Sequence, residues 1–138
     1  MSEVSEKWGE VVAQRGFSQI PNVLLTLNQF ADPKLSPLEL LILIELSGMW
    51  WKKNEPPYPS MKTLAARCGA SERQIARAIK KLESIPLLAR EKRRSKGIIS
   101  TNAYNLLPLA DALEEVAKAF PTKFPRKSVN KAAEAEDA

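Results

Sequence analysis

Apolar residues occur in bursts along the chain, and the period within each burst predicts its structure. The stretch SEKWGEVVAQ, beginning at Ser5, puts Trp8, Val11 and Val12 on one side and predicts a helix ended near Gly16. In GFSQIPNVLLTLNQF, Pro21 suits a first turn and predicts a short helix over Asn22 to Phe30. Ser36-Pro37-Leu38-Glu39 is the clearest start in the sequence: a capping serine, proline at the first helical position and a glutamate completing a capping box. The helix behind it, running to Trp51, is apolar on nearly all sides, which places it at the centre of a core or against a second subunit. Trp50 and Trp51 would close the floor of that core, a stacking platform for bases being the alternative. KKNEPPYP, residues 52–59, has three prolines in four residues and reads as a loop.

Ser60 then caps MKTLAARC, and Ser71 caps ERQIARAIKKLES with Gln74 as its capping-box partner. Between these helices the side chains are graded for a tight turn. Leu64 and Cys68 face inward, Ala65 is small enough for a close crossing, Gly69 tolerates a positive φ, and Ala70 plugs the turn. Ile75, Ala78, Ile79 and Leu82 form the inner stripe of the second helix. After Pro86 the pattern becomes strand-like over Leu87 to Arg94 and Ile98 to Leu106, with Asn102, Tyr104 and Leu106 on one face. PLADALEEVAKAF, residues 108–120, returns to helical spacing with Leu109, Leu113, Val116 and Phe120 on its apolar side. Residues 121–138 have few apolar anchors and read as a mobile tail.

Charge sharpens this picture. The net charge of +5 is not spread evenly: residues 60–97 carry 11 basic and 3 acidic side chains, and both flanks are net acidic. On the helix after Ser71, with Ile75 set at zero, Lys80, Arg73, Arg77, Lys81 and Gln74 fall in an arc of about 120° opposite the core stripe. Glu83 lies near the core edge instead. A solvated face normally mixes signs; this one suits a polyanion. Composition narrows the chemistry from the other side. There is no histidine, a single cysteine (Cys68) and no phosphate-cradling glycine loop, so binding is expected rather than catalysis, with no cofactor and no metal. No basic-then-apolar leader and no bilayer-length apolar run is evident, so a cytoplasmic protein with no membrane contact is expected.

Ala65 and Gly69, with Leu64, Cys68, Ala70, Ile75 and Ala78 around them, resemble the helix-turn-helix pattern of DNA-binding proteins. Cys68 is the one soft departure, since a larger aliphatic is commoner there. A basic hairpin directly afterwards resembles the wing of the winged helix-turn-helix class. The resemblance covers about residues 36–107 and implies a mainly α fold with a small β-hairpin. It divides the chain into an N-terminal helical extension (1–35), the winged helix-turn-helix (36–107), a C-terminal helix (108–120) and the tail (121–138).

The resemblance implies double-stranded DNA as partner. Arg73, Gln74 and Arg77 are the candidates for reading base edges in the major groove. Ser60, Lys62, Ser71, Lys80 and Lys81 are candidates for the DNA backbone, and Arg90, Lys92, Arg93, Arg94 and Lys96 for the wing. GFSQIPNVLL and MWWKKNEPPYPS look like segments of short bacterial, phage and plasmid proteins taken to be transcriptional regulators or DNA-binding heads of replication or partition proteins. A small repressor acting by occupancy in the bacterial cytoplasm, on the nucleoid or a plasmid, is the expected role. A replication or partition factor on repeated sites, and a winged-helix adaptor that binds protein rather than DNA, are the alternatives. A homodimer through helix 5–15 or helix 108–120 is expected, a monomer on repeated sites being the alternative, and in the replication or partition reading the 121–138 tail would recruit a protein partner.

Overall fold

The computed structural model describes residues 2–95 and 98–121. Its elements run α1 (Glu3–Trp8), α2 (Glu10–Gln14), α3 (Asn22–Leu25), a 3-10 turn at Leu27–Gln29, α4 (Pro37–Gly48), α5 (Met61–Cys68), α6 (Glu72–Ser84), β1 (Ala89–Ser95), β2 (Ile98–Asn105) and α7 (Leu107–Ala119). It is a mainly helical fold with a two-stranded antiparallel hairpin, arranged as a winged helix-turn-helix.

The start signals act through specific atoms. Ser36 Oγ accepts from the Glu39 amide at 3.1 Å, and Glu39 Oε1 accepts from the Ser36 amide at 2.8 Å. Ser71 and Gln74 repeat this reciprocal box at 3.1 and 2.9 Å, and Ser60 Oγ accepts from the Thr63 amide at 3.0 Å. Each cap satisfies amides that the first helical turn leaves without partners.

Helices α4, α5 and α6 converge on Ile42, Leu43, Leu46, Leu64, Ile75, Ile79 and Leu82, all fully buried. The all-round apolar character of α4 follows from its position, because Leu38, Leu40 and Ile44 also pack against this core from its flanks. Gly69 ends α5 in the left-handed conformation (φ 65°, ψ 37°), and the Ala70 amide returns to the Ala65 carbonyl at 3.0 Å. That turn fixes the crossing of α5 and α6. Leu87 and Leu88 lead the chain, still buried, from α6 into the hairpin. On β2, Tyr104 is buried and its amide donates to the Pro57 carbonyl at 2.8 Å, tying the proline-rich loop to the hairpin. Helix α7 closes the core with Leu109 and Leu113, and Phe120 stacks on Phe30 with centroids 4.5 Å apart.

The structure corrects the sequence expectation at four places. The helix expected from Ser5 to Gly16 is two short helices that start at Glu3 and are divided at Gly9, whose φ of 87° cannot continue a right-handed helix. Neither piece contributes a buried residue, and Trp8, Val11 and Val12 are 66%, 74% and 55% exposed. The helix expected over 22–30 breaks at Thr26, where Oγ1 donates to the Val23 carbonyl at 3.2 Å and a 3-10 turn follows. Helix α4 stops at Gly48 instead of running to Trp51. In consequence only Trp50 packs on the core; Trp51 is 80% exposed and closes nothing. Lys96 and the tail residues 122–138 lie outside the described residues, as does the side chain of Arg94.

Candidate nucleic-acid interface

Helix α6 owes its orientation to its buried stripe. Ile75, Ala78, Ile79 and Leu82 are at most 5% exposed, so the opposite side must face outward. Arg73, Arg77 and Lys80 occupy that outward side, all exposed, and with Ala76 and Arg90 they line one shallow hollow. The hollow joins the outward face of α6 to the first residues of β1.

The cations around α6 fall into two groups. The peripheral ones are neutralised within the fold. Arg67 on α5 pairs with Glu45 on α4, and Arg90 Nη2 lies 2.7 Å from Glu83 Oε1. Lys81 Nζ lies 3.1 Å from Oε1 of Glu39, the one buried charged residue among those described, and also donates to the Lys34 carbonyl at 3.4 Å. Lys81 therefore serves the α4–α6 junction. The central group differs: among the described residues none makes an ion pair with Arg73, Arg77, Lys80 or Lys62. An exposed cluster of like charge repels itself and gains from an added anion. Planar guanidinium forks at this spacing suit either phosphate or the O6/N7 edge of guanine.

The remaining polar candidates sit at helix starts. Gln74 spends its side-chain oxygen on the Ser71 amide, which leaves its amide NH2 as the group able to reach outward. Ser71 and Ser60 use their hydroxyl oxygens as caps, and Ser60 also donates to Thr63 Oγ1 at 3.0 Å. Lys62, in the first turn of α5, is exposed.

The hairpin carries Lys92, exposed, opposite Asn102, and its register slips between Lys92 and Arg94. At that slip the Arg93 guanidinium lies 3.6 Å from the centre of the Tyr58 ring. Sequence reasoning did not single out Tyr58; its only signal is an aromatic residue held between prolines just before the Ser60 cap. Cys68 behaves as packing. Burial pushes its thiol above the ordinary value, Glu45 adds to the shift and Arg67 opposes it, so the reactive thiolate is disfavoured. Among the described residues no cluster of acids and cysteine could hold a metal ion, and no helix is long and apolar enough to cross a membrane.

Residues 33–86 match the model of a protein family described as a helix-turn-helix domain. The matched span contains α4, α5 and α6 and ends before the hairpin. No curated protein matches the chain.

Proposed function

We propose that this helix-turn-helix protein is a sequence-specific binder of double-stranded DNA, with α6 in the major groove and the β1–β2 hairpin as a wing. The observation that carries the reading is the acid-free outward face of α6, where Arg73, Arg77 and Lys80 stand exposed without ion partners among the described residues. An adaptor surface built for protein contact has no need of three such uncompensated cations in one hollow.

In this reading Arg73 and Arg77 reach guanine edges, and Gln74 offers its NH2 to a base acceptor. Lys62 and Lys80 meet phosphates on either side, with the Ser60 and Ser71 caps close to the backbone. Lys81 reaches a phosphate from the same edge only by giving up Glu39. Arg90, Lys92 and Arg93 extend the cationic track over the neighbouring backbone or minor groove. A module of this size acts most simply as a transcriptional regulator that represses by occupying its operator, and pairing of two copies on a two-fold site would multiply its affinity.

Selection of bound sequences from random duplex DNA tests all of this together. An inverted repeat of promoter type is the expected result. Tandem direct repeats would shift the role to replication or partition. Failure to enrich any sequence at low ionic strength would overturn the reading.

A further inference from the structure

Of the three cations near α6 that have acid partners, Arg90 differs from the other two in where it lies. Arg67 and Lys81 pair with acids on α4 and take no part in the cationic hollow, whereas Arg90 lines it beside Arg73, Arg77 and Lys80. Its partner, Glu83, is the penultimate residue of α6, and Arg90 is the second residue of β1, so the pair spans the passage from helix to hairpin. Glu83 does not line the hollow; its carboxylate meets the guanidinium from outside, with Oε1 2.7 Å from Nη2. The backbone at Arg90 is already anchored. Leu87 and Leu88 are buried just before it, and Tyr104, its partner in the hairpin register, is buried across from it. The direction of the side chain is the freedom that remains, and Glu83 sets it.

We propose that Glu83 is a positioning residue for DNA binding: it holds Arg90 at the rim of the α6 hollow, where the guanidinium meets a phosphodiester between the helix and the hairpin. This rests on the DNA-binding reading above. An acid beside a polyanion site costs affinity by simple repulsion. Here that cost is small, because the negative charge reaches an anion in the hollow only across the guanidinium and solvent. The gain is larger. An unrestrained arginine has many rotamers to lose on binding, and a carboxylate that fixes it beforehand removes much of that loss. Glu83 therefore has opposite effects on binding according to whether Arg90 is present, and that reversal of sign is what separates positioning from mere proximity.

The test is a double-mutant cycle on the full chain with its selected duplex, titrated over a range of salt concentrations well below the melting temperature of every variant. R90A removes a phosphate contact and should make the slope of log affinity against log salt shallower by about 0.9. E83Q deletes a negative charge, which by repulsion alone would tighten binding; with Arg90 in place it should instead weaken binding about three-fold and move the slope towards that of R90A. In the R90A background the same substitution should leave affinity equal or raise it, because only the repulsion is left to remove. Binding by E83Q as tight as wild type or tighter would overturn the role of Glu83. So would an E83Q loss that persists in the R90A background, since it would then act through the fold and not through Arg90. If the wild-type chain binds no duplex in a salt-dependent way, the DNA reading fails and this inference with it; if it binds and E83Q does not weaken it, only the Glu83 role fails.

Discussion

Individual cations on one helix face do different work here, and their partners show which. Arg73 and Arg77 have none among the described residues, so Arg73→Ala and Arg77→Ala should each cost about 1–3 kcal/mol of discrimination between operator and mismatched duplex if they read bases. Competition titrations against both duplexes measure this; equal weakening on every duplex would make that residue a phosphate contact. Lys81 should behave otherwise. Removing it leaves the buried Glu39 carboxylate with the Ser36 amide but without a cation, and because Lys81 itself is 42% exposed the cost falls between that of a surface pair and a buried one. Lys81→Met should lower unfolding stability by about 1–2 kcal/mol while leaving the salt slope of DNA binding intact. Denaturant unfolding beside a salt titration separates the two outcomes. Helical periodicity in the sequence puts Lys81 in the same arc as Arg77, because angle is all that periodicity reports. It carries no record of a glutamate on another helix, so Glu39 was legible as a cap but not as the partner of Lys81.

At the scale of elements, the sequence was most readable where one local interaction decides the structure. The capping boxes at Ser36 and Ser71 and the turn at Gly69 are of this kind. Gly69 can be tested sharply, since a Cβ built there meets nothing within 4 Å. Its requirement is the backbone angle alone, not space. Gly69→Asn should therefore cost least, Gly69→Ala about 1 kcal/mol, and Gly69→Val more, because β-branched residues tolerate a left-handed backbone poorly. Thermal melts of the three variants check the order; a valine variant as stable as alanine would mean that the turn does not hold its angle. Legibility failed where local signals compete. Thr26 has helical neighbours but turns its hydroxyl onto the chain behind it, and Gly9 interrupts a stretch whose apolar spacing is otherwise helical. Asn28, which binds both the amide and the carbonyl of Leu35 at 2.7 and 2.8 Å, organises a turn through a contact that no periodicity encodes.

Over the whole molecule, the described chain separates into a packed body and an arm. The body from Leu24 to Leu113 holds every buried apolar residue, and the central cationic segment lies within it. The arm, α1 and α2, buries nothing, although its spacing of Trp8, Val11 and Val12 looks like that of a core helix. Amphipathic spacing shows that a face seeks cover; whether the body of the same chain supplies it depends on three-dimensional reach, which the spacing does not contain. The arm should accordingly be dispensable for folding. Deleting residues 1–16 should change unfolding stability by no more than about 0.5 kcal/mol, the range of changes remote from any core. It should also leave affinity for a single half-site unchanged, because the α6 cations and the hairpin are untouched. Equilibrium unfolding and a half-site titration on the shortened chain test both statements. A larger loss of stability would mean that the arm packs on the body after all, whereas retained half-site affinity with weakened binding to a paired site would assign the arm to contact between two copies.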